Sequence, residues 1–168
     1  MRPLFDGTPL IYLNRAGLAW VLEEFREEKF TVPKFKEQVV DEGKRIGAPD
    51  AFAVDRLISA QKLRIREPSD PETVKLFSGV RGLHEGEKQV LALAKEINGV
   101  VITDDNIARS TARIYGVEAH GTLYLLMRLF HRGRLKKDEV VNSVDLMISE
   151  GWRIGAREYS KILRETAQ

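Results

Sequence analysis

Val100-Val101-Ile102-Thr103-Asp104-Asp105 is the stretch on which the fold turns. Its β-branched residues form an unbroken run with no polar alternation, the pattern of a strand covered on both faces. Strands of that kind belong to parallel sheets flanked by helices. The run ends in two carboxylates, and in open parallel sheets ligands collect beyond the carboxyl ends of the strands. A second run has the same form near the amino terminus, where Asp6 follows directly on Pro3-Leu4-Phe5.

Outward from these two runs, the pattern alternates between strand and helix. Residues 87–97 place Val90, Leu91 and Ala94 at helical spacing, with Gly99 as the expected stop. Residues 107–115 read as the next helix, closed by Gly116, and residues 117–119 as a fifth short strand. Upstream, residues 29–32 and 63–66 read as strands, and residues 17–26, 34–44 and 49–60 as helices. Asp70-Pro71 opens a further short helix, with Asp70 as its cap. The turn-rich Asp6-Gly7-Thr8-Pro9 reads as a loop after the first strand. Three helical stretches follow near residues 122–131, 137–149 and 157–165. The alternation predicts an α/β fold with a parallel five-stranded sheet and helices on both faces. With strand order 3-2-1-4-5, strands one and four are neighbours, and Asp6 meets Asp104 or Asp105 in one crevice.

The 168 residues suit a single domain. Hydrophobic residues are 43 % and charged residues 31 %, which argues against both a disordered chain and a membrane protein. Apolar runs such as residues 90–94 are far shorter than the ~20 residues that a bilayer requires. Charges at Arg2 and Asp6 leave no room for an apolar leader, so a cytoplasmic protein with no membrane contact is expected. With no cysteine, disulfides, thiolate zinc sites and thiol nucleophiles are excluded. The three histidines, His84, His120 and His131, lack metal-ligand spacing, so any metal is expected to be held through oxygen.

The candidate chemistry lies in carboxylates. Glu87 precedes Val90 and Leu91 by three and four positions, on the helix face that packs inward. Taken singly, each acid has an ordinary reading: Glu87 as a helix-start residue, Asp105 as an N-cap, Asp6 as a turn residue. Taken together, three or four converging acids repel one another and raise each other's pKa. A hard, oxygen-preferring cation relieves that repulsion, which points to Mg²⁺ or Mn²⁺ and to phosphoryl chemistry.

Phe5-Asp6-Gly7-Thr8-Pro9-Leu10-Ile11, Leu83-His84-Glu85-Gly86-Glu87 and Ile102-Thr103-Asp104-Asp105, with Ala108-Arg109, together resemble the PIN-domain family. The likeness is greatest to archaeal and bacterial nucleic-acid-binding PIN proteins related to VapC toxins. Gly116, His120-Gly121-Thr122 and Gly151-Trp152 extend it over nearly the whole chain. The resemblance implies a three-layer α/β/α sandwich over residues 1–168, with residues from about 135 to 168 as a C-terminal helical extension. It implies a divalent-metal endoribonuclease acting on single-stranded or structured RNA. A homodimer and, in toxin–antitoxin pairs, a small antitoxin protein are the implied partners. By position, Asp6, Glu87, Asp104 and Asp105 become the catalytic and metal-binding acids, with Thr8 as the hydroxyl supporting Asp6. The family's glutamate on the helix after the second strand falls at Gln38, which has an amide oxygen and no charge. Glu37 and Glu42 are the acids close enough to compensate.

Arg128, Arg132, Arg134, Lys136 and Lys137 form a basic stretch free of acids. It reads either as an RNA-backbone contact or as the solvated face of a core helix. Arg109 reads as a supporting residue that orients the carboxylates, touches phosphate or closes an internal ion pair. Trp20 and Trp152 read as core or interface residues rather than stacking platforms. Two functions follow: a metal-dependent ribonuclease, or a catalytically weakened module that binds RNA or protein, for which Gln38 is the motive. A receiver-like phosphotransfer domain fits less well, since its acidic pair belongs after the first strand.

Overall fold

The computed structural model describes residues 1–166. In chain order it has β1 (Pro3–Phe5), α1 (Gly7–Arg15), α2 (Trp20–Glu23), β2 (Phe30–Thr31) and α3 (Pro33–Phe35). A π-helical stretch, Lys36–Asp41, runs on into α4 (Glu42–Arg45). Next come α5 (Pro49–Ser59), β3 (Arg64–Ile65), α6 (Pro71–Ser78), α7 (Glu85–Ile97), β4 (Val100–Ile102), α8 (Asn106–Ile114) and β5 (Glu118–His120). The described chain closes with α9 (Thr122–His131), α10 (Lys137–Ser149) and α11 (Ala156–Glu165).

The sheet is parallel, with order β3-β2-β1-β4-β5. In this order, the one on which the convergence of Asp6 with Asp104 or Asp105 depends, β1 and β4 are neighbours, with Leu4 opposite Val101 and Phe5 opposite Ile102. Side chains alternate across a strand, so these two pairs face opposite ways. Leu4 and Val101 join one core with Phe35, Val90, Leu91 and Ala108. Phe5 and Ile102 join the other, with Leu10, Leu13, Val54, Leu125 and Val144. Two cores on two faces make a three-layer α/β/α sandwich. Val140, Met147, Trp152 and Ile162 add the last helices to the second of these cores.

Some elements depart from the pattern. The Gly7-Thr8-Pro9 cluster is the first turn of α1 rather than a loop. First-turn N–H groups have no intrahelical partner, so a proline there breaks nothing, and Asp6 caps the helix by accepting from the Gly7 N–H. The helix expected over residues 17–26 is only α2, because Gly17 turns at φ +70° between it and α1. Asn98 rather than Gly99 stops α7, with φ +52°. Gly99 is needed for another reason: a Cβ there would stand 2.2 Å from the Leu4 side chain.

A close approach also fixes the wall beside the strand ends. A Cβ on Gly86 would lie 2.4 Å from the Phe35 ring, which is 6 % exposed and cannot swing out. Alanine inside a helix ordinarily gains up to about 1 kcal/mol over glycine. At this position overpacking costs about 1–3 kcal/mol, which outweighs that gain, at roughly 2–4 °C of Tm per kcal/mol. Thermal unfolding of Gly86→Ala should therefore show a lower Tm than wild type; an equal or higher Tm would show that α3 and α7 are not in tight contact.

Candidate active site

The ends of β1 and β4 bring the acids together. Backbone pairing continues past the strands: the Asp6 N–H donates to the Ile102 carbonyl at 3.0 Å, and the Thr103 N–H donates to the His120 carbonyl at 2.8 Å. Asp6, Glu87, Asp104 and Asp105 all line one cleft of about 740 Å³ at this end of the sheet. Thr8, Gln38, His84, Trp152 and Arg153 share its walls.

Asp6 is 5 % exposed. One of its oxygens accepts from the Gly7 N–H and the other from the Thr103 hydroxyl at 2.5 Å. Burial, aided to a lesser degree by the charges of Glu87 and Asp104, raises its pKa to about 6 against the pull of those two donors. Glu87, 6 % exposed at the third position of α7, accepts from the His84 N–H at 2.7 Å. Its pKa is also raised, chiefly by burial and in part by the charge of Asp105. Asp105 caps α8, one oxygen accepting from the Ala108 N–H at 2.7 Å. Both ordinary readings of Glu87 and Asp105, helix start and N-cap, thus coexist with their place in the cleft.

Asp104 is the most heavily bonded of the four. It accepts from the Thr122 N–H at 2.7 Å, the Thr122 hydroxyl at 2.6 Å and the Trp152 indole N–H at 2.8 Å. Asp104 therefore ties the start of α9 and the turn after α10 to the end of β4. Among the described residues, no hydrogen bond reaches Glu87 Oε1 or Asp105 Oδ2, which leaves one free oxygen on each of these acids.

The supporting residues differ from expectation. Thr8 lies on the cleft wall, but the hydroxyl bonded to Asp6 belongs to Thr103, which also accepts from the Asp105 N–H at 3.2 Å. Arg109 forms no ion pair among the described residues; it braces the Thr103 carbonyl at 3.0 Å and the Asn106 side chain at 2.5 Å. Gln38 lies in the cleft where the resemblance places it. Neither acid offered as its substitute lines the cleft: Glu37 pairs with Lys34 at 2.8 Å, and Glu42 lies past the π-helical stretch, whose wider turn shifts the face that a later residue presents. Trp152 is buried as expected, yet its N–H serves Asp104, a contact no spacing rule exposes.

The basic stretch lies away from this cleft. Arg128 lines a separate hollow of about 690 Å³ beside Val100 and Glu118, at the opposite, amino ends of β4 and β5. Its guanidinium donates to the Tyr124 hydroxyl at 2.7 Å. Arg134 pairs with Glu24 at 2.8 Å, while Arg132, Lys136 and Lys137 are exposed.

Oxygen donors with unmet negative charge suit a hard divalent cation. As the side chains stand, no three acidic or histidine groups among the described residues are close enough to hold one ion together. The fit to a cation therefore rests on donor chemistry and charge.

A parallel α/β/α domain with acids gathered where β1 meets β4 has the form of a domain that takes its ligand at the switch point in strand order. The chain belongs to the PIN domain family, whose DUF3368 model matches residues 2–168. It is 33 % identical over 97 residues to the endoribonuclease Nob1 of Pyrococcus abyssi (strain GE5 / Orsay). That match covers 54 % of this chain and 56 % of Nob1, so the chain spans little more than half of this relative. A PilT N-terminus domain protein, SSO1118, from Sulfolobus solfataricus P2 is a structural neighbour with TM-score 0.46 and 14 % identity, over 76 % of this chain and 92 % of its own. No helix among the described residues is long and apolar enough to cross a membrane.

The raised pKa of Asp6 has a measurable consequence without metal. A carboxyl that is harder to ionise folded than unfolded costs nothing when both states are protonated, below about pH 4. The cost grows as pH rises toward 6 and is then constant, up to about 3 kcal/mol. In EDTA, Asp6→Asn should match wild type near pH 4 and be more stable at pH 7 by urea unfolding. A variant no more stable than wild type at pH 7 would contradict the burial of a charged Asp6.

Proposed function

We propose that this chain is a divalent-metal-dependent endoribonuclease that hydrolyses phosphodiester bonds of single-stranded or structured RNA. The observation that carries the reading is the convergence of Asp6, Glu87, Asp104 and Asp105 in one cleft, from three separate parts of a PIN-family chain. Likeness to the endoribonuclease Nob1 supports RNA as the substrate class.

Asp6, Glu87 and Asp105 would hold Mg²⁺ or Mn²⁺, since the last two each retain an oxygen without a hydrogen bond and Asp6 lies between the strand ends. When bound, such a cation activates water and neutralises charge on the attacked phosphate. The chain's own residues fix the donors. Thr103 and the Gly7 N–H hold Asp6 in one orientation, and Asp104 anchors Thr122 and Trp152 so that the cleft walls stay in register. The half-buried acids strengthen any cation interaction by excluding water from part of the site.

Gln38 supports a second reading, a weakened module that binds RNA or protein with little turnover. Its amide stands where a fifth acid would add charge, and neither Glu37 nor Glu42 replaces it. A toxin role with a small antitoxin, and a homodimer, rest on the family resemblance. Ile107 and Ile114, 48 % and 77 % exposed on α8, offer apolar surface for such a contact.

With Mn²⁺ or Mg²⁺, wild type should cleave single-stranded RNA, and Asp6→Asn should be slower by about a hundredfold or more. Equal cleavage by both, or by neither across several RNAs, would overturn the nuclease reading. Calorimetric titration separates the second reading: Gln38→Glu should bind Mn²⁺ more tightly than wild type, and an unchanged affinity would show that residue 38 does not meet the ion.

A further inference from the structure

We infer that Arg153, on the turn between α10 and α11, is the residue that binds the RNA phosphate at the acidic cleft. The inference rests on the nuclease reading for its substrate and on different residues for its support.

The problem it answers is electrostatic. Four carboxylates line the cleft, more than one divalent ion neutralises, and RNA brings one negative charge per nucleotide, so a protein cation facing the strand favours its approach. None of the cations of the basic stretch lines this cleft, and Arg128 stands beside the opposite, amino ends of β4 and β5. Arg109, four residues after Asp105, is spent on the Thr103 carbonyl and Asn106. Among the described residues that line the cleft, Arg153 is the one lysine or arginine. It is exposed, and no described carboxylate or carbonyl takes its guanidinium in an ion pair or hydrogen bond.

The turn that presents Arg153 is held in place from both sides. Helix α10 ends in a paired closure: the Gly151 N–H donates to the Ile148 carbonyl and the Trp152 N–H to the Met147 carbonyl, each at 2.9 Å. Gly151 adopts φ +99°, a conformation strained for other residues, and so turns the chain back toward the strand ends. Trp152, 5 % exposed, then fixes the turn by donating its indole N–H to Asp104 at 2.8 Å. Arg153 follows directly. The guanidinium carried by this fixed turn has no partner among the described residues, lines the same cleft as the acids and can grip two phosphate oxygens at once. Tyr12, whose ring edge lies 3.9 Å from the Cβ position of Gly151, adds an aromatic wall beside it.

The test uses the full chain in two backgrounds. In Asp6→Asn with EDTA, where turnover is stopped, anisotropy of a short fluorescein-labelled single-stranded RNA measures binding across a salt series. Arg153→Ala should weaken binding about tenfold and reduce the salt slope by about 0.7, the share of one phosphate contact. Arg153→Lys should keep the slope and recover part of the affinity, which a merely structural role would not do. In the otherwise wild-type chain with Mn²⁺, Arg153→Ala should raise KM about tenfold with little change in kcat. Cleavage with unchanged KM and an unchanged slope would overturn this inference and leave the nuclease reading standing. Binding that depends on Arg153 without any cleavage by wild type would uphold the inference and overturn the nuclease reading. No RNA binding at all would overturn both.

Discussion

The hydrogen bond from the Thr103 hydroxyl to Asp6 joins the two halves of this fold at the point where they diverge. Strand order runs outward from β1 and β4 in opposite directions, so their carboxyl ends open a crevice that loops alone must bridge. Thr103 bridges it with one side chain. It donates to Asp6, which caps α1, and accepts from the N–H of Asp105, which caps α8. The starts of two helices and two of the acids thus depend on one hydroxyl. Asp104 extends the same arrangement outward, through Thr122 to α9 and through Trp152 to the turn after α10.

This arrangement holds charge where folding alone would not place it. Asp6 and Glu87 are nearly buried, and burial raises the pKa of both. Their hydrogen bonds come from backbone N–H groups at helix starts and from a hydroxyl, not from cations. Donors of that kind orient a carboxylate without neutralising it, so the negative charge stays available to an external cation. None of the cations of residues 128–137 lines the cleft, and Arg128 sits at the far end of the sheet, so that charge is left unquenched. Near neutrality over the whole chain, +2, therefore conceals a polarised molecule.

Much of the fold was legible because hydrophobic period and strand punctuation are local. The buried run 100–102 and its partner Pro3–Phe5 fixed a parallel sheet, and the last three helices lie close to where their periodicity puts them. Helix α1 was hidden because glycine, threonine and proline signal a turn, yet a first helical turn tolerates all three. The acids of the cleft were legible as strand-end carboxylates at Asp6, Asp104 and Asp105 and as an inward helix-face acid at Glu87, whereas their supports were not. Thr103 meets Asp6 across 97 positions of sequence and Trp152 meets Asp104 across 48, and no periodicity encodes such contacts. Arg153 was overlooked for the same reason: its turn is set beside the cleft by Trp152 on Asp104 and Gly151 on Tyr12, contacts far apart in sequence. The π-helical stretch, which sets what residues after Gln38 face, leaves no clear signal in the sequence either.

We propose that Asp6, Glu87 and Asp105 form one cation site at the meeting of β1 and β4. Anomalous diffraction from crystals soaked in Mn²⁺ tests it most directly. The account requires a single strong peak between these three side chains, with Glu87 and Asp105 turned to it through the oxygens that no protein group occupies. A cleft without a peak, or ions bound only at other surfaces, would contradict it.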